Sequence, residues 1–480
     1  MNVLGSIVYM LAFLVGLLAA TKVRSAKLRT LILLVVSYAA YLTWSRWFFA
    51  VLLASTIANY GFGRWLRKSQ TGVALFCGIS FNLALLSTFK YLPPIAATLP
   101  FSSLHGFSEL ALPLGISFWT FQAMSYLFDQ YRGEDLDPTF PEFALYMTFF
   151  PVAISGPICR MPDMLPQFRS NALTKLNSIG RGLTRIATGV LMMQLAKLLG
   201  QGILAGDGVN SGFDRATQWG GLDVWFLAFG YGLQLFFDFA GYSHIAIGAS
   251  QALGLMIPEN FERPFASTTP SIFWTRWHMS LSFWIRDYVF LPLATLRREL
   301  WWRNGMLVVS MVVFGLWHKA SILFVLWGLY HGVLLLLHRQ VQQLERRLNW
   351  EPPEHLWGPF SWIATISLVS LGWVLFRAGS LAQAREMLWA VVSPVNYLSH
   401  SLSNSFYLLV TALAIGYGLV LLMVDALTRE DTGPRSSLVE LLSRHRWYWV
   451  PALYAIVLLF VWMVTSTQSG GVGQFMYRRF

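Results

Sequence analysis

Residues Met306 to Leu337 read MLVVSMVVFGLWHKASILFVLWGLYHGVLLLL, apolar on both sides of one polar knot at Trp317-His318-Lys319. This stretch decides the class of the fold. Basic residues bound it at both ends, Arg297 to Arg303 before and Arg339 to Arg347 after. Positive charge favours the cytoplasmic side of a membrane, so both ends are expected there and the chain must turn back between them. Two full crossings need about 40 residues, more than the stretch supplies. A helix from Met306 to Trp317 rises roughly 18 Å at 1.5 Å per residue, which predicts an apex within the membrane's thickness. Backbone that turns at such depth must pack inside protein or line a wet cavity.

The rest of the chain supports the same class. Of 480 residues, 55% are hydrophobic, 16% aromatic and only 12% charged, about half the charged share of a soluble domain. Apolar segments fall near 3–21, 30–61, 71–91, 111–129, 142–158, 182–205, 222–252, 306–337, 360–377, 405–425 and 447–466. Thr43 to Trp47 interrupts the second, which is therefore expected to be a hairpin or broken helix. Lys22, Arg24, Lys27 and Arg29 follow the first run instead of preceding it, the order of an uncleaved first span with its N-terminus outside. The expectation is an all-α polytopic membrane protein organised as one domain over 1–480.

Net charge is +12, but the basic residues lie in loops between apolar runs, the positive-inside pattern. No basic stripe with interleaved aromatics accompanies them, so nucleic acid is rejected as a partner. Cys77 and Cys159 have no metal-ligand spacing and read as small core residues. No metal site is expected. Residues 255–303 mix aromatics with Glu259, Glu262, Arg263, Arg276, His278, Arg286, Asp287, Arg297 and Arg298. They are too polar for a lipid-facing span and too aromatic for an ordinary loop, which suggests helices in the interface or dipping into the protein.

His318 is the first candidate for chemistry. Ionisable residues at membrane depth are costly and suggest function, and a neutral imidazole can take a proton from an alcohol. The competing reading is a histidine bracing two helices. Lys319 beside it would disfavour the imidazolium if the two groups are close. Read as a helix, Trp274, Trp277, His278 and Phe283 or Trp284 fall on an aromatic-rich face. Arg276 and Arg286 could hold a phosphate or phosphopantetheine-like group by forked hydrogen bonds. Taken alone, that stretch reads first as an interfacial anchor. His331 is expected to pack along the second arm of the hairpin. Asp238 and His244 are polar groups inside an apolar run and must find partners there. Their six-residue separation puts them on different helical faces, so they are expected to line or brace a polar interior. No Walker A, G-x-S-x-G or H-E-x-x-H pattern is present. A proton-linked transporter or non-catalytic scaffold is the rival class.

Two motifs, FWTRWHMSLSFWIRDYVFLP at Phe273 to Pro292 and GLWHKASILFVLWGLYHG at Gly315 to Gly332, resemble the membrane-bound O-acyltransferase (MBOAT) family. Supporting pieces are LQLFFDFAGYSHIAIG at Leu233 to Gly248, NFERP at Asn260 to Pro264 and LGWVLFRA at Leu371 to Ala378. Within the family the pattern is similar to the bacterial branch of alginate O-acetyltransferases and D-alanyl transferases. The resemblance implies a ring of about eleven membrane helices, with re-entrant or interfacial helices around a central funnel. It implies His318 as the embedded catalytic histidine and His278 as the second one. Arg276, Arg286, Asp287, Trp317, Lys319, Asp238 and His244 are then supporting or substrate-binding residues.

The activity so implied is O-acyl transfer, with acetyl-CoA or another acyl thioester as donor and no bound cofactor. A periplasmic relay protein or an exported polysaccharide would be the acceptor, and the bacterial inner membrane the location. D-alanyl transfer to another cell-surface acceptor is the alternative. The chain departs from the family pattern at His244, where an acidic residue is usual after Gly-Tyr-Ser, and at Lys319, where glycine usually follows Trp-His. The tail, Phe475 to Phe480 (FMYRRF), is more basic than usual.

Overall fold

The computed structural model describes residues 3–97, 105–203, 206–215, 219–349 and 353–428, and these are helical with no strand. The expected segment 447–466, the basic cluster Arg444 to Arg446 and the tail lie outside the described residues. The chain begins with α1 (Val3–Lys22), α2 (Ala26–Leu42), α3 (Arg46–Ser69) and α4 (Gly72–Lys90). It continues with α5 (Ile116–Tyr131), α6 (Phe140–Thr148), α7 (Met161–Arg169), α8 (Leu176–Gln201) and α9 (Gly221–Ala252). Two short helices follow, α10 (Pro270–Arg276) and α11 (Met279–Ile285), then the pair α12 (Leu300–His318) and α13 (Ile322–Leu348). The last three are α14 (Glu354–Arg377), α15 (Leu381–Val392) and α16 (Asn404–Thr428).

Seven of these, α1, α4, α9, α12, α13, α14 and α16, are long and apolar enough to cross a membrane. The chain is a multi-pass membrane protein. Helices α2 and α5, at 17 and 16 residues, are shorter. The interruption expected at Thr43 is present: α2 ends at Leu42, and Ser45 accepts the Trp47 and Phe48 amides to start α3. The expected segment 142–158 is helical only to Thr148. Pro151 follows, and a proline disfavours the helical conformation in the residue before it.

The hairpin also differs from expectation. Its turn falls at Lys319 to Ser321, just beyond the expected apex at Trp317 to Lys319, and its arms are 19 and 27 residues long. Polar residues at both outer ends, such as Arg303 and Arg346, continue the helices past the apolar stretch. The first arm then rises about 28 Å, close to a full crossing. Hairpin length therefore does not place His318 part-way through the membrane.

Packing divides the chain into two compact units. The first holds the described residues up to Ile186, with Tyr242–Asn260 and His278–Leu296. Its core includes Trp119, Tyr126, Phe143, Tyr146 and the buried thiol of Cys159. Asn59 on α3 and Asn82 on α4 exchange amide hydrogen bonds of 3.2 and 2.6 Å. This pairing satisfies both polar groups between apolar helices.

The second unit holds Ala187–Gly241, Phe261–Trp277 and the described residues from Arg297 onward. Its α12–α13 hairpin is zipped by glycine. A Cβ on Gly315 would overlap the Phe324 carbonyl oxygen, and one on Gly328 the Met311 carbonyl oxygen. Small residues at such a seam let two backbones touch, and this contact fixes the position of the turn that carries His318.

Candidate active site

His318 ends α12 and is 6% exposed. Aromatic rings on three helices of its unit enclose it. Trp317 and Phe314 on α12 lie 4.9 and 5.6 Å away between ring centroids. From α13 come Trp327 at 5.7 Å and Phe324 at 6.1 Å, and from α14 Phe376 at 5.0 Å. Most of these contacts are edge-to-face, the arrangement that matches a ring's positive edge to its neighbour's negative face.

One ring further on lies a second imidazole. Trp327 stands between His318 and His331, 4.9 Å from the latter. His331 is fully buried, and Trp274 and Tyr330 pack edge-on to it at 5.1 and 5.3 Å. Gly372 on α14 presses against it so closely that a Cβ there would lie 2.5 Å from Nε2. Among the described residues, neither His331 nitrogen has a hydrogen-bond partner, nor do the indole N–H groups of Trp274 and Trp327. Leaving buried polar groups unmatched costs about 1–3 kcal/mol each, so packing alone holds this cluster together. His331 does pack along the second arm, as expected.

His278 belongs to the first unit and is built differently. The helical reading of Phe273 to Trp284 is corrected by the structure. Helix α10 ends at Arg276, and His278 takes a left-handed conformation (φ 44°) at the head of α11. Such a backbone costs a non-glycine residue about 1 kcal/mol or more. Asn260 offsets that cost. Its Oδ1 lies 3.2 Å from His278 Nδ1 and accepts from Ser280 Oγ at 2.6 Å, while its Nδ2 donates to Ser243 Oγ at 3.1 Å. Its carbonyl accepts the Met279 amide at 2.8 Å. An Oδ1 acceptor opposite Nδ1 assigns the ring proton to Nδ1 and the lone pair to Nε2. Burial pushes the imidazole down to about 3, so it is neutral. Asn260 escaped the reading as a site residue, although it heads the NFERP piece that carried part of the resemblance.

The remaining candidates separate. Trp317 is buried against His318. Lys319 leaves α12 in an extended conformation and is exposed. It therefore lies outside the ring enclosure of His318. Asp238 is buried in the second unit, whereas His244, on the same continuous helix α9, belongs to the first. There Arg185 and Glu259 act on His244 and pair with each other through two bonds of 2.6 Å. Arg276 donates to the Ala266 carbonyl at 3.4 Å in the second unit. Arg286 and Asp287, in the first, bond to each other at 2.7 Å. No group of three His, Cys, Asp or Glu side chains suited to a metal ion occurs among the described residues.

A buried imidazole at a helix end inside an aromatic enclosure suits proton transfer to or from a hydroxyl shielded from water. Comparison with known proteins gives that chemistry a context. The chain is 33% identical over 409 residues to the probable alginate O-acetylase AlgI of Pseudomonas putida, covering 82% of this chain and 80% of that protein. It is 30% identical to the peptidoglycan O-acetyltransferase of Helicobacter pylori, covering 73% and 71% of the two chains. With the teichoic acid D-alanyltransferase of Streptococcus thermophilus it shares 31% identity, covering 61% and 74%. Residues 31–377 match the model of the membrane-bound O-acyltransferase family, and the chain belongs to that family.

Proposed function

We propose that this acyltransferase moves an acetyl group from a thioester on the cytoplasmic side to a hydroxyl of an extracytoplasmic acceptor, with His318 as general base. In this reading His318 takes the proton of the acceptor hydroxyl as its oxygen attacks the thioester carbonyl. A C–O bond forms, the C–S bond breaks, and the thiolate leaves with the proton the imidazole returns. A positioned base of this kind contributes about 10²–10⁴-fold. The observation that carries the proposal is the enclosure itself, an imidazole 6% exposed and ringed by five aromatic side chains. Such a site excludes the water that would otherwise hydrolyse the thioester.

The donor is acetyl-CoA or another acyl thioester. The acceptor is a periplasmic relay protein or an exported polysaccharide, and the protein works in the bacterial inner membrane. The names of the alginate and peptidoglycan relatives favour acetyl over D-alanyl transfer. His278, held by Asn260, is a positioning residue in this scheme. The test follows radiolabelled acetyl from acetyl-CoA into extracytoplasmic glycan or protein in cells carrying the wild type or His318→Ala. The variant is expected to reach the membrane at normal levels and to lose at least a hundredfold in transfer. Full transfer by it would sink the assignment.

A further inference from the structure

Three arginines from separate parts of the first unit converge on Asp287. Arg132, at the end of α5, donates to the Asp287 carbonyl at 2.7 Å. Arg160, in the irregular stretch before α7, lies 3.0 Å from one carboxylate oxygen, and Arg286 donates to the other at 2.7 Å. Their planes rest on aromatic rings. Arg160 and Arg132 lie 4.7 and 5.1 Å from the Tyr288 centroid, and Arg286 lies 4.7 Å from that of Phe283. Tyr288 is fixed in turn by its hydroxyl, which donates to Asp129 at 2.7 Å. A π-helical turn over Arg286–Phe290 carries the centre of this arrangement, a backbone form often found at functional sites.

Three guanidinium groups meet Asp287 and Asp129, and Glu134 also acts on Asp129, so what is left over is hydrogen-bond donors, not net charge. Each guanidinium has five N–H donors in a planar fork, and Asp287 accepts from one atom of each. Arg132 is exposed, and the Arg160 and Arg286 side chains are 21% and 54% exposed. The cluster thus presents oriented guanidinium donors to the outside. Its side of the membrane follows from Asp137, five residues after Arg132. Asp137 pairs with Arg67 in the Arg64 to Lys68 cluster, whose charge marks the cytoplasmic face.

We propose that Arg132, Arg160 and Arg286 form the phosphate-recognition site for the donor, taking the phosphate that joins a pantetheine arm to its carrier. The planar forks match phosphate oxygens in pairs, and Asp287 pre-sets the guanidinium groups so that little ordering is needed on binding. Arg132 and Arg160 carry no signal in the sequence and come to the site only through the fold. The inference rests on the thioester donor proposed above. The phosphate can belong to free coenzyme A or to a phosphopantetheinylated carrier protein.

The test measures binding of coenzyme A, pantetheine and a holo-carrier protein to the purified full-length protein, without requiring turnover. Arg132→Gln and Arg160→Gln are each expected to weaken coenzyme A or the holo-carrier about tenfold and to leave the weaker binding of pantetheine unchanged. Whichever phosphate-bearing ligand binds the wild type more tightly identifies the source. Equal losses for pantetheine would show a purely structural cluster and overturn the site. Failure of both phosphate-bearing ligands to bind the wild type would overturn it too. Intact binding without acyl transfer would count against the proposed function alone. A KM rise with unchanged kcat for the phosphate-bearing donor gives a second readout.

Discussion

His278 and His318 are both buried, at 1% and 6% exposure, yet opposite kinds of contact hold them. His278 sits in a strained left-handed turn, anchored by an amide that also ties down two serines and the head of α11. His318 ends an unstrained helix and is placed by rings and by a glycine seam one turn below it. Hydrogen bonds have direction and fix a ring's proton as well as its position. Ring packing fixes position without assigning the ring's proton. The difference teaches that a network-bound histidine suits a positioning role, whereas one enclosed by packing suits proton transfer.

Breaking the packed side of this comparison is expected to do the most damage. Gly315→Val drives a side chain into the Phe324 carbonyl oxygen, forces the hairpin arms apart and displaces His318. The expected loss is about 3 kcal/mol of stability and nearly all transfer, read by thermal melting in detergent and by acetyl incorporation. A normal melt would show that the seam can open without cost. On the network side, Asn260→Ala strands His278 Nδ1–H and the Ser280 hydroxyl. It should cost about 2 kcal/mol of stability, read by thermal melting in detergent. An unaltered melting temperature would mean that packing, not the amide, holds His278.

The smallest effect sharpens the comparison through pH. The His278 imidazole is held at about 3 when folded, against an ordinary 6.5. Below 6.5 the unfolded chain therefore binds a proton that the folded chain refuses, and stability falls as pH falls. The contribution is complete above about pH 7.5, and roughly 1 kcal/mol of it is gone by pH 6. His278→Asn, which tolerates the left-handed backbone, should make that slope shallower by the His278 share. A wild type and variant with the same slope would place the titrating group elsewhere.

Much of this was legible from spacing and chemistry. The break at Thr43, a hairpin turn close to His318 and the buried place of His331 all follow from where apolar runs meet polar residues. The motifs around His278 and His318 carried the family. Other features were hidden. Periodicity suggested one helix from Phe273 to Trp284 because aromatic residues recur at helical spacing on either side of His278. That pattern cannot register the positive φ that breaks the helix between them. The hairpin arms were misjudged because hydropathy ends before hydrogen bonding does. Arg303 and Arg346 are good helix formers and continue the turns into polar surroundings.

The proposal that His318 is the base thus rests on other grounds than those the sequence offered. The sequence by itself determined that the chain is helical and crosses a membrane, because those properties depend on local apolar length and charge. It also marked the two histidines, because polar groups in apolar runs are rare. Only tertiary structure decided what surrounds each of them. Phe376 lies 58 positions from His318, and Asn260 lies 18 from His278. Likewise Arg132, Arg160 and Arg286 meet from three separate segments. Contacts across such separations follow from how whole helices pack, and no local pattern in the chain specifies them.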